Sequence, residues 1–343
     1  MDLQNKELLD SLLKLSLKTD IFKSKVGVIL LQSLQSEKEE EIHQTLRKVY
    51  QHYLQKHNFK IADLWHYFLM NAFFESRMPE HLAFGMGQPL PEAIEEAYQK
   101  DILTPFKKAL TTLKFSTPQV SQTPLPYIEE RKKLYHAFLT QDIGDIYQQV
   151  QAFFTKVTPG FISNYFYFEW NKKLKGIAQY SQKKLSDLVG YEDQKKLVVE
   201  NTRRFVSDLE ANNAFLFGNR GTGKTSLIRA LLEEFKDQGL RIIKVYREDI
   251  EILPQIFDFL KKRKEKFIIN LDDISYDEKE VIYKKHKVAI DSFFERKPKN
   301  VLLYATSNSQ EIVKYFRQET TGNMVLDNRS EEEKKLEPPQ KQV

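Results

Sequence analysis

Gly218-Asn219-Arg220-Gly221-Thr222-Gly223-Lys224-Thr225 is the stretch that decides the fold of this chain. It has a glycine, four residues, then Gly-Lys-Thr, the spacing of a phosphate-cradling loop. An apolar run over 214–217 precedes it and reads as a strand, and a helical pattern follows over 224–235. Glycines let the backbone curl so that successive N–H groups face a phosphate, and the following helix adds the positive end of its dipole. Lys224 then reaches the β- and γ-phosphates and the Thr225 hydroxyl takes a Mg²⁺ position. The nucleotide-contacting set is Gly218, Asn219, Arg220, Gly221, Thr222, Gly223, Lys224, Thr225 and Ser226.

Outward from the loop, short β-type runs at 214–217, 240–245, 267–271 and 301–304 alternate with helical segments at 224–235, 250–262, 278–294 and 310–316. Such alternation predicts an α/β core with a parallel sheet flanked by helices. The run Phe267-Ile268-Ile269-Asn270-Leu271 ends in Asp272-Asp273. Two adjacent aspartates after a strand also suit a helix N-cap, but a phosphate loop upstream favours a metal role. Asp272 would hold Mg²⁺ through water, and Asp273 would polarise an attacking water. The strand at 301–304 runs into Ala305-Thr306-Ser307-Asn308. The Asn308 amide either orients that water or caps the next turn, and spacing alone does not choose.

The 343 residues are enough for two domains. Residues 1–175 read as a mostly α-helical N-terminal domain, broken near 117–126; 176–185 is a Lys-rich linker, 186–328 the core and 329–343 a disordered charged tail. The Gly85-Met86-Gly87-Gln88-Pro89-Leu90-Pro91 stretch breaks a helix, and a new one is expected from Glu92. The aromatic cluster Tyr165-Phe166-Tyr167-Phe168-Glu169-Trp170 reads as helix packing or an interdomain contact. With no cysteine, disulfide scaffolds, zinc–thiolate sites and cysteine nucleophiles are excluded. No apolar run approaches the ~20 residues that span a bilayer, and the N-terminus lacks a signal-peptide pattern, so a cytoplasmic protein with no membrane association is expected. Net charge is +5, and the clusters Lys261-Lys262-Arg263-Lys264 and Lys284-Lys285-His286-Lys287 read as solvated helix faces. Nucleic acid as a partner is not supported.

With these motifs in place, residues 186–323 resemble the core of an AAA+ ATPase. The 218–225 loop matches Walker A, Leu271-Asp272-Asp273 matches Walker B, and Asn308 matches the sensor-1 position. Leu188-Val189-Gly190-Tyr191 resembles the segment that packs near adenine, which implies nucleotide contacts for Val189 and Gly190. More narrowly, Gly190-Tyr191-Glu192-Asp193-Gln194, Glu200-Asn201-Thr202, Asn212-Asn213 and Ala305-Thr306-Ser307-Asn308 resemble an uncharacterised bacterial family of predicted AAA+ ATPases with a long N-terminal extension.

The resemblance implies an ATPase with ATP and Mg²⁺ as cofactors and Lys224, Asp273 and Asn308 as catalytic residues. It also implies a possible homo-oligomer, and a protein partner recognised by the N-terminal domain. The alternative is an ATP-gated binding or scaffold protein with little turnover. Two departures bear on the choice. Asp273 stands where the superfamily usually has Glu. The sequence after Asn328-Arg329-Ser330 is also too short for a fifth strand, an arginine-bearing segment and a helical lid. With sheet order 5-1-4-3-2, a missing fifth strand would leave 214–217 as an edge with Phe215 or Phe217 exposed, and turnover and ring assembly would be weak.

Overall fold

The computed structural model describes residues 12–13, 64–112, 126–274, 297–308 and 324–327. The chain divides into two compact units, Met1–Tyr165 and Phe166–Val343.

The first unit is helical over its described residues. It contains α1 (Leu64–Glu75), α2 (Pro79–Gly85), α3 (Glu92–Tyr98), α4 (Thr104–Thr112), α5 (Ile128–Thr140) and α6 (Ile143–Lys156), with a π-helical turn, Gln99–Leu103, between α3 and α4. The break after Gly85 and the helix from Glu92 lie where the sequence places them. Aromatic bulk supplies the core: Phe73, Phe74, Phe84, Phe106, Phe138 and Phe154 are all buried. Two polar side chains inside it make hydrogen bonds and ring contacts. His81 stacks on Phe154 with ring centroids 3.8 Å apart, and its Nε2 meets the Tyr98 hydroxyl at 2.7 Å. The wholly buried Arg131 donates to Pro126 O, Ser163 O and Asn164 Oδ1 and lies over the Phe74 ring. A buried cation needs such a set of acceptors to offset its lost hydration.

The second unit is built on a seven-stranded sheet. Its strands are β1 (Tyr167–Asn171), β2 (Lys173–Ile177), β3 (Ala214–Phe217), β4 (Leu240–Tyr246), β5 (Lys266–Asp272), β6 (Val301–Ser307) and β7 (Met324–Asp327). The spatial order is β2-β1-β4-β5-β6-β3-β7, and every pairing is parallel except the β1–β2 hairpin. Among its described residues this unit has α7 (Glu192–Val206), α8 (Lys224–Phe235) and α9 (Leu253–Leu260). Alternate strand residues Ala214, Leu216, Leu240, Ile242, Ile268, Leu302 and Tyr304 share one hydrophobic core with Val198 and Phe205 of α7 and Leu227, Ile228 and Leu231 of α8. The intervening set, including Phe215, Phe217, Ile243, Ile269 and Leu303, is buried as well. Burial of both faces is what a parallel sheet requires, and it explains why these strands read as unbroken apolar runs.

Two sequence expectations are corrected here. The fifth strand is present. β7 pairs in parallel with β3, Phe215 facing Val325 across the ladder. β3 is therefore an interior strand, with Phe215 and Phe217 buried, and the parallel order β4-β5-β6-β3-β7 is 2-3-4-1-5. Four residues, Met324-Val325-Leu326-Asp327, carry too little pattern to stand out before a charged tail. The domain boundary also moves. The aromatic cluster read as helix packing or an interdomain contact contributes residues 167–170 to strand β1, beside β4, and Lys173–Ile177, placed across the boundary at 175 and into the expected linker, returns antiparallel to it. Aromatic residues suit a pleated strand as well as a helix contact, so composition did not separate the two. The expectations of a missing lid, a disordered charged tail and helices over 278–294 and 310–316 fall on residues outside those described. No helix among the described residues is long and apolar enough to cross a membrane.

Candidate active site

The 218–225 loop leaves the C-terminal end of β3 and enters α8 at Lys224. Gly221 and Gly223 lie at φ +88° and +81°, in the left-handed region, with open space around each. An L-residue there would pay backbone strain of about 1–2 kcal/mol even without a clash. Thr222 closes the curl by donating its hydroxyl to Asn219 O at 2.9 Å. The first N–H groups of α8 and its positive dipole end therefore face the loop, a site suited to an anion.

Lys224 is buried at 7% exposure. Its ammonium donates to Gly218 O at 2.6 Å, Asn219 O at 2.9 Å and Asn308 Oδ1 at 2.9 Å. Burial lowers its pKa below the usual lysine value, against the opposing pull of Asp273 and Asp272.

β5 delivers the two carboxylates. Asp272 Oδ1 accepts from the Thr225 hydroxyl at 2.9 Å and from the Thr306 hydroxyl at 3.2 Å, while Oδ2 pairs with Lys244 Nζ at 2.8 Å. Burial alone would raise the Asp272 pKa, but the hydrogen bond and charge of Lys244, with the two hydroxyls, hold it below the usual carboxylate value. For Lys244, burial works downward, yet its bond to Asp272 and that carboxylate's charge lift it above its ordinary value. The backbone turns at Asp273, which takes φ +52°. Asp273 N donates to Thr306 Oγ1 at 3.0 Å and Ile274 N to Thr306 O at 2.8 Å, so the turn is pinned to the end of β6. Aspartate is among the few residues that adopt this region readily. Asn308 Nδ2 then donates to Asp273 Oδ1 at 3.0 Å.

Lys224, Asn308 and Asp273 thus form one hydrogen-bonded chain across β3, β6 and β5, beside the Thr225–Asp272–Lys244 set. They surround a cavity of about 390 Å³ lined by Arg220, Gly221, Gly223, Lys224, Thr225, Ser226, Asp272, Asp273, Thr306 and Asn308. This is the carboxyl-end crevice where open α/β sheets take ligands.

Most residues expected from sequence meet here. Gly218, Asn219 and Thr222 shape the loop behind the cavity. Val189 and Gly190 are not among the lining residues; Val189 is 95% exposed, just before α7. Two contributors were missed. Thr306 ties both aspartates to β6, and Lys244 anchors Asp272 from β4. Lys244 did leave a signal, since a cation inside the apolar run Leu240-Arg241-Ile242-Ile243-Lys244-Val245 needs a partner when the strand is buried.

The donor set fits a hard cation held jointly with phosphate oxygens. Thr225 and Asp272 offer oxygen ligands, and among the described residues no cluster of three or more His, Cys, Asp or Glu makes a protein-only metal cage.

Fold and site together define an α/β P-loop core of the AAA+ type, preceded by a helical unit. The chain belongs to the family described as "Protein of unknown function (DUF815)", whose model matches residues 163–337, just over half of its length and nearly the whole second unit. No curated protein matches it. Solved structures that it resembles include the Aeropyrum pernix ORC1 protein in complex with DNA, at 17% identity over 41% of this chain and 46% of that one, TM-score 0.33. A Thermotoga maritima RuvB variant follows at 19% identity, 42% and 47% coverage, and TM-score 0.30. A DnaI structure matches at 20% identity, 42% and 88% coverage, and TM-score 0.28. The chain thus spans about half the length of the first two.

Proposed function

We propose that this chain binds ATP with Mg²⁺ and hydrolyses it. The observation that carries the reading is the convergence of Lys224, Thr225, Asp272, Asp273 and Asn308 from three adjacent strand ends on one cavity. In this role the loop N–H groups and the α8 N-terminus bind the phosphates, and Lys224 leaves its carbonyl acceptors to neutralise the β- and γ-oxygens. Thr225 and Asp272 would hold Mg²⁺, which supplies charge neutralisation on the phosphate oxygens when bound. Asp273 accepts a proton from the attacking water, and Asn308, bonded to both Asp273 and Lys224, orients that water against the γ-phosphate. Val189, exposed ahead of α7, and Gly190 contact the adenine. The helical unit recognises a protein partner, and copies of the chain associate.

A second reading, nucleotide-gated binding with little turnover, is favoured by Asp273, whose side chain is one methylene shorter than the glutamate usual at this position. A fluorescent-ATP titration with and without Mg²⁺, beside phosphate release at saturating ATP, tests both. Saturable binding with release supports hydrolysis. Binding without release supports the gated reading, and the absence of binding sinks both.

A further inference from the structure

Lys244 has no part in the mechanism above, yet it is built into the site. It rises from β4, next to β5, with its side chain only 12% exposed, and Asp272 beside it is 16% exposed. Its ammonium sits 4.5 Å from the Tyr246 ring centroid and 2.8 Å from Asp272 Oδ2. The other oxygen, Oδ1, takes both hydroxyl donors, Thr225 and Thr306. The carboxylate is therefore divided, one oxygen toward the nucleotide loop and the other closed by a fixed cation. Among the residues lining the cavity, Arg220 and Lys224 balance Asp272 and Asp273, and Lys244 closes on Asp272 from outside that lining.

From this geometry we infer that Lys244 is a positioning residue that screens Asp272 from free divalent cations, so that the site takes metal only together with a polyphosphate. A free dication meets a fixed lysine ammonium and a carboxylate already satisfied on three sides. A metal–nucleotide complex carries its own negative charge, which Lys224 and the N-terminal end of α8 attract. The inference rests on the nucleotide reading above.

The test uses the full chain and Mn²⁺ as the probe, followed by electron paramagnetic resonance without nucleotide, with Mn²⁺–ATP binding measured in parallel. The wild-type protein is expected to leave Mn²⁺ free at concentrations where Lys244→Gln, which keeps a donor but loses the charge, binds it at least about tenfold more tightly. Lys244→Arg, which keeps the charge, is expected to behave as wild type. Equal Mn²⁺ affinity in the Gln variant and wild type would overturn the inference. So would tight binding of free Mn²⁺ by the wild-type chain, a result independent of whether the variant folds. If wild type fails to bind Mn²⁺–ATP, the nucleotide reading itself falls; if it binds Mn²⁺–ATP and the Gln variant gains nothing, this inference alone does.

Discussion

Lys224, Lys244, Asp272 and Asp273 are each held by neighbours before any ligand is considered, and this decides what single substitutions should do. Lys224→Ala removes the buried ammonium that would meet the phosphates, and nucleotide affinity should fall by about a hundredfold or more. A titration with unchanged affinity would reassign the loop. Asp273→Asn keeps the size of the side chain and a hydrogen-bonding atom toward Asn308 but loses the proton acceptor. Nucleotide affinity should stay within about threefold while phosphate release drops by about tenfold or more. Release at the wild-type rate would move the base elsewhere.

Between elements, the residues that carried the narrow family resemblance prove to be joints. Asn201 of α7 donates to Asn212 O at 2.7 Å and accepts from Asn212 N at 2.9 Å, fixing the chain just before β3. Asn213 Oδ1 accepts from Leu303 N at 3.0 Å, so the same turn is tied to β6. The Tyr304 hydroxyl closes the set, 2.9 Å from both Asn201 Nδ2 and Thr202 Oγ1. Burial pushes the Tyr304 pKa up to about 12, despite these two bonds. The folded chain therefore keeps a proton that the unfolded chain releases near the ordinary tyrosine value of about 10. Stability from this group is whole below about pH 10 and is lost as pH rises toward 12, by at most about 2–3 kcal/mol. Tyr304→Phe should start about 1 kcal/mol less stable through its lost bonds. Its urea midpoint should then fall less than that of wild type between about pH 9 and about pH 11. Equal falls in the two proteins would show that Tyr304 does not titrate in this range.

At the scale of the molecule, the division at Tyr165/Phe166 nearly coincides with the start of the family match at residue 163. The second unit holds every described site residue and its own two-faced sheet core. Expressed alone, 166–343 should melt cooperatively and bind nucleotide within about threefold of the full chain. Fragment 1–165 should show a helical circular-dichroism spectrum. A second-unit fragment that folds but does not bind nucleotide would mean the first unit contributes to the site.

Sequence alone determined the loop, the strand–helix alternation and the acidic pair, because each depends on local chemistry: glycine conformation, apolar runs, and carboxylates at a strand end. It also located Asn308 while leaving its role open. Tertiary structure alone decided that Lys244 and Thr306 belong to the site, that β1 and β2 extend the sheet, and that β7 covers β3. Parallel pairing joins segments far apart in the chain, and neither a four-residue strand nor a lone lysine carries a record of its partner. Only the register of β4 and β5, with Lys244 opposite Asn270 and Tyr246 opposite Asp272, brings the Lys244 ammonium within reach of the Asp272 carboxylate.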